Sequence, residues 1–143
     1  RDTITKEDID AVCVTQITNH IFEMVDAVAA GNQQKALDLY YDLLTLKEPP
    51  MRILFLLAKQ FRQLLLVKEY AEEGIPQPVM ASRLGVPSFV VKNIAVCARS
   101  YRISELRQAV TDFVDAEEAV KTGRLQDVLS VELLIVKYSS ARR

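Results

Sequence analysis

The sequence predicts an all-α fold, a single helical bundle of about seven helices, and three observations carry the prediction. Apolar residues recur at spacings of three and four through most of the chain, which lines them along one helical face. The four glycines and five prolines stand only where such a pattern starts or stops. The one run that reads equally well as a buried strand, Leu133-Leu134-Ile135-Val136, has no hairpin signal beside it and no second strand to pair with.

The elements follow in order. Thr5 and Asp8 suggest a capped short helix reaching about Cys13, with a rigid break over Val14 to Thr18. The stripe Ile17, Ile21, Met24, Val25, Val28 then makes the first main helix, closed by Gly31. Asn32 is placed to cap a second helix with Ala36, Leu37, Tyr40, Leu43 and Leu44 inward. That helix ends near Lys47-Glu48, because Pro49 disfavours helical geometry at the residue before it while Pro50 suits a first turn. A long helix is expected from Pro50 to Glu73. It is apolar on all sides over Ile53 to Ala58 and therefore central, then amphipathic with Phe61, Leu64, Leu65, Tyr70 and Ala71 inward.

Gly74 ends the long helix, and two short ones follow, Pro78 to Leu84 and Pro87 to about Ser100, with Gly85 between. Ser104 is the expected cap of the next helix, which carries Ile103, Leu106, Val110, Phe113, Val114 and Val120 and stops at Gly123. The last runs from about Leu125 to Ser140. No period of 20–50 residues recurs, which excludes a solenoid.

Composition narrows the function. The chain has 143 residues, a formal net charge of −1 and half its residues hydrophobic, against both disorder and a loop-rich fold. Cys13 and Cys97 lie far apart with no CxxC, so neither a disulfide scaffold nor a zinc site is expected, and reduced cysteines point to the cytoplasm. The chain starts without Met or a leader-like apolar stretch, and the expectation is a piece cut from a longer protein. The most apolar run, Ile53 to Ala58, is far short of the ~20 residues that span a bilayer.

Catalytic chemistry is thin. His20 is the only histidine and has no nucleophile near it in sequence. No phosphate-binding glycine motif is present. Asp112 and Asp115 share a helix face, as a magnesium pair would, but they belong to the polar side of an amphipathic helix, where Glu117 is set to pair with Lys121 four residues on. No cofactor or metal is therefore expected.

Val79 to Ala98 has helix-turn-helix spacing, with Ala81, Leu84, Gly85, Val86, Val91 and Ile94 in place. Arg83, Lys92 and Arg99 are basic, and no acid lies between Gln77 and Ser100. A DNA-binding regulatory module is thus one function class. The exposed face of its second helix, Pro87, Ser88, Phe89, Lys92 and Asn93, is poor in base-reading side chains. A protein-interaction module is the other class.

A resemblance adds a name to the second class. Phe22-Glu23-Met24-Val25-Asp26-Ala27, Gly31, Lys35-Ala36-Leu37, Leu44, Glu48-Pro49-Pro50, Ile53-Leu54 and Gln60-Phe61-Arg62 open an ordered series. Ala81, Leu84-Gly85-Val86-Pro87, Phe89-Val90-Val91-Lys92, Ser104-Glu105-Leu106, Lys121-Thr122-Gly123 and Val131-Glu132-Leu133 continue it. In order and spacing this series resembles the C-terminal part of the delta-subunit family of bacterial DNA polymerase III, in the clamp loader. Two positions depart from the family pattern: Lys47 stands where a glycine is usual, and Glu117 where an aspartate is usual.

The resemblance implies a helical collar domain over residues 17–143, with residues 1–16 as the tail of a preceding lid domain. It implies a non-catalytic oligomerisation role that holds a pentameric loader together while the sliding clamp is opened and loaded on primed DNA. The implied partners are delta prime and tau/gamma-type subunits, with the clamp bound through an N-terminal domain outside this sequence, and no membrane. Tyr41, Phe89, Tyr101 and Tyr138 are the expected interface anchors, because aromatics dominate interface energetics. Lys121 and Arg124, at the turn before the last helix, are expected to touch the phosphates of primer-template DNA.

Overall fold

Phe61 is the hub of the molecule: its ring lies 5.2 Å from that of Phe113 and 5.9 Å from those of Tyr101 and Tyr138. Around it the computed structural model describes the backbone of residues 6–140 and the side chains of residues 17–140. Seven helices make up the described residues: α1 (Lys6–Ala29), α2 (Gln33–Thr45), α3 (Pro50–Glu72), α4 (Gln77–Leu84), α5 (Ser88–Ala98), α6 (Ile103–Lys121) and α7 (Asp127–Ser140). The all-α bundle is as expected, and the segment Leu133 to Val136 lies inside α7.

α3 is the central element, packed against α1, α4, α5, α6 and α7. Its start is set by proline: Pro49 is extended (φ −64°, ψ 134°) and Pro50 opens the first turn. Its buried face is Ile53, Leu54, Leu57, Gln60, Phe61, Leu64 and Val67. The apolar run over residues 53–58 is covered on one side only: Phe55 remains 56% exposed, and Ala71 is exposed as well. α2 pairs with α1 and α7, and α6 lies along α3 and α7.

The helix ends obey local chemistry. Asn32 accepts a hydrogen bond from the backbone N–H of Lys35 at 3.2 Å, the expected cap of α2. At the other end of α2, Lys47 takes the left-handed conformation with φ +66°. There the N–H of Glu48 bonds the carbonyl of Leu43 and the N–H of Lys47 that of Leu44, a closing pattern that satisfies two otherwise free carbonyls. A lysine thus holds a glycine-like conformation. Gly123 does the same job between α6 and α7 at no such cost (φ +78°).

Three expectations need correction. α1 runs unbroken from Lys6 to Ala29, without the break expected over Val14 to Thr18. It contains neither glycine nor proline, and the few tenths of a kcal/mol by which Val and Thr disfavour helix do not end one. The proposed Thr5 cap lies outside the described residues. α6 begins at Ile103, not after Ser104; Arg102 is its cap residue, and its backbone N–H donates to the Glu105 side chain at 2.8 Å. Finally, Val114 is 55% exposed, and Ala109 and Ala116 take inward positions instead.

Candidate interaction surfaces

The expected interface aromatics fall into two groups. Tyr101 and Tyr138 are buried, at 2% and 6% exposure, and pack on Phe61. Tyr138 is held there from the outside as well. Its hydroxyl donates to Asp112 of α6, which also accepts from Lys137 Nζ at 2.7 Å and Gln108 Nε2 at 2.8 Å. Burial, and then the hydrogen bond to Asp112, push the Tyr138 phenol well above its ordinary value. Burial would raise the Asp112 carboxyl, but the bonds from Lys137, Tyr138 and Gln108 outweigh it and hold the carboxyl below its usual range. Asp112 is thereby committed to clamping α6 to α7.

Tyr41 and Phe89 are exposed, at 42% and 67%. Tyr41 sits on α2, and its hydroxyl donates to Glu132 of α7. That bond, with smaller contributions from burial and charge, raises its phenol pKa. Beside Glu132, α7 turns Leu129, Leu133 and Val136 outward at i, i+4 and i+7. Together with Tyr41 they lie on the α2–α7 side of the bundle. This apolar stripe was absent from the expected sites. Its signal was in the sequence, because α7 has more apolar residues than one buried face needs.

Phe89 belongs to a second face, made by α4 and α5 with Val79 and Val96 also exposed. These two helices cross at 106° and are joined by Gly85, Val86 and Pro87. Gly85 adopts φ +70° and its N–H bonds the Ala81 carbonyl, so the turn has helix-turn-helix shape. The outward side of α5 is nevertheless Ser88, Phe89, Lys92, Asn93 and Val96, two of the five large and apolar. α5 and α7 both pack on α1 and α3, and not extensively on each other, so the two apolar faces are separate.

The turn before α7 carries the two expected phosphate-contact residues, both exposed. Lys121 Nζ is 3.5 Å from Glu117, the pairing read from their spacing. Arg124 Nε donates to Thr122 Oγ1 at 2.9 Å. Both cations are thus engaged locally, in pairs that water can replace. Among the described residues no group of three His, Cys, Asp or Glu is placed to hold a metal ion. No single described helix is long and apolar enough to cross a membrane.

What these features define is a class: an all-α bundle with a closed aromatic core and two separate outward apolar faces. Residues 18–138 match the family model described as DNA polymerase III delta subunit, C-terminal domain, and the chain belongs to that family. It is 31% identical, over 137 residues, to DNA polymerase III subunit delta of Bacillus subtilis, covering 96% of this chain and 40% of that protein. The solved Bacillus subtilis DNA clamp loader delta protein superposes with a TM-score of 0.82 at 31% identity, covering 97% of this chain and 41% of its own. The chain therefore spans about two fifths of the length of these relatives.

Proposed function

We propose that this domain is the non-catalytic oligomerisation domain of a clamp-loader delta subunit. It acts as a rigid block, residues 17–143, whose two apolar faces seat neighbouring subunits of delta prime and tau/gamma type, while residues 1–16 lead in from a preceding lid domain. The sliding clamp is engaged by parts of the subunit outside this sequence, and the whole works in the cytoplasm during replication. The observation that carries the reading is the pair of exposed apolar faces, Leu129, Leu133, Val136 with Tyr41 and Val79, Phe89, Val96, on a domain of the delta-subunit family. Large apolar side chains in two separate groups are costly to leave in water and are what subunit interfaces bury. A closed core suits a hub, because a well-packed interior transmits movement of attached domains instead of absorbing it.

Lys121 and Arg124 supply a secondary contact in this reading. They swap Glu117 and Thr122 for primer-template phosphates and position DNA without reading its sequence. An autonomous DNA-binding regulator is disfavoured by the apolar outer side of α5.

The test uses the intact subunit mixed with delta prime and tau/gamma-type subunits. Leu133→Asp should abolish co-elution of the complex on gel filtration without lowering the melting temperature of the subunit alone. A complex that forms as with the unaltered subunit overturns the proposal. For the secondary contact, Arg124→Glu should weaken primer-template binding by the assembled loader and lessen its salt dependence; unchanged affinity removes DNA from the account.

A further inference from the structure

α1, α3 and α5 line a cavity of about 330 Å³ that opens to solvent beside Phe89. For scale, an engineered cavity of about 150 Å³ accepts a benzene molecule. Its walls are mostly apolar, with Phe22, Val25, Leu64, Val90 and Ile94 among them, and three carboxamides line it as well: Asn19, Gln60 and Asn93. Gln60 is the unusual one. It projects from the buried face of the central helix, is only 9% exposed, and its amide finds no hydrogen-bond partner among the described residues. Its amide opens onto the pocket, where the peptide group of a ligand can take the place of water. Among the described residues Asp26 is the one carboxylate on the cavity wall and no lysine or arginine lines it, with Lys35 near enough to act on the Asp26 charge. Such a wall repels phosphate and accepts a neutral or cationic group.

We propose that this cavity receives a bulky apolar side chain from a partner polypeptide, whose adjoining peptide group hydrogen-bonds the carboxamides of Gln60 and Asn93. A carboxamide offers both a donor and an acceptor, which is what a peptide group requires. Asp26 favours a basic residue next to the inserted one. Phe89, exposed at the mouth, covers the inserted side chain from the solvent side. The inference rests on the assembly reading above and deepens it: it names a pocket-and-anchor joint within the α4–α5 face and the chemistry of what enters it.

The experiment uses the intact subunit with purified delta prime and tau/gamma-type subunits as the probe. Asn93→Trp places an indole at the cavity mouth from an exposed position, and should weaken association at least tenfold. Gln60→Met keeps the bulk and removes the amide, and should weaken it several-fold. Asn93→Cys, a small change at the rim, should be alkylated by a maleimide at least ten times more slowly in the complex than in the free subunit, read by mass spectrometry at that position. Association within twofold of the unaltered subunit for the first two variants, or equal alkylation rates, means the cavity holds only water and overturns the inference. Loss of association with Leu133→Asp alongside either of those results leaves the assembly reading standing and removes the pocket alone. Failure of the unaltered subunit to associate removes both.

Discussion

Phe61 and Phe89 are the same residue on neighbouring helices, and their fates differ completely. Phe61 is 2% exposed and touches three other rings, whereas Phe89 is 67% exposed at the edge of a cavity. The difference comes from their neighbours: α3 is packed against five helices, while among the described residues α5 packs mainly on α1, α3 and α4. In this bundle the inner aromatic is placed to hold the core, and the outer one lies on the surface. The two roles should separate in experiment.

The largest effect should come from the inside. Phe61→Ala removes the centre of the ring cluster and should cost about 3–5 kcal/mol of unfolding free energy, measured by urea titration. A loss near 1 kcal/mol would show that the cluster is not the hub. Next is the clamp that holds Tyr138 in place. Asp112 has a depressed pKa in the folded protein, so its contribution is complete above the ordinary carboxylate value of about 4 and vanishes as the pH falls through the lower folded value. Asp112→Asn should therefore cost about 1–2 kcal/mol at pH 7, and its stability curve should converge with that of the unaltered protein in acid. Lys137 is 58% exposed and contributes little of this, since water screens it. Parallel curves at all pH values would contradict the assignment.

Smaller still is the left-handed Lys47. Lys47→Gly removes the Cβ conflict of that conformation and should stabilise the protein by about 1 kcal/mol in thermal unfolding. Destabilisation would mean that the lysine side chain contributes something the backbone argument misses. The smallest effect on stability belongs to the outside: Phe89→Ser should change it by no more than about 0.5 kcal/mol.

Much of the fold is legible in the sequence, because helix ends are decided locally. Gly31, Gly74, Gly85 and Gly123 all take positive φ at helix termini, and Pro50 starts α3 where the Pro49-Pro50 pair requires. The spacing of Glu117 and Lys121 gives their ion pair directly. What is not legible is which side of a helix its neighbours cover. Phe55, Val114 and Ala71 fit an inward stripe as well as Leu57 and Phe113 do, and only the packing of α3 against α6 separates them. Tyr101 and Tyr138 look like surface anchors for the same reason, and burial on Phe61 is a tertiary outcome. The α7 stripe and the Gln60 cavity need two or three helices brought together before they exist.

In the proposed role the outward aromatics serve assembly and not folding. Sedimentation velocity of the reconstituted loader carrying Phe89→Ser tests it most directly. The variant subunit should melt as before, and the assembly should break into smaller species at concentrations where the unaltered loader stays whole. An assembly that sediments unchanged would contradict it.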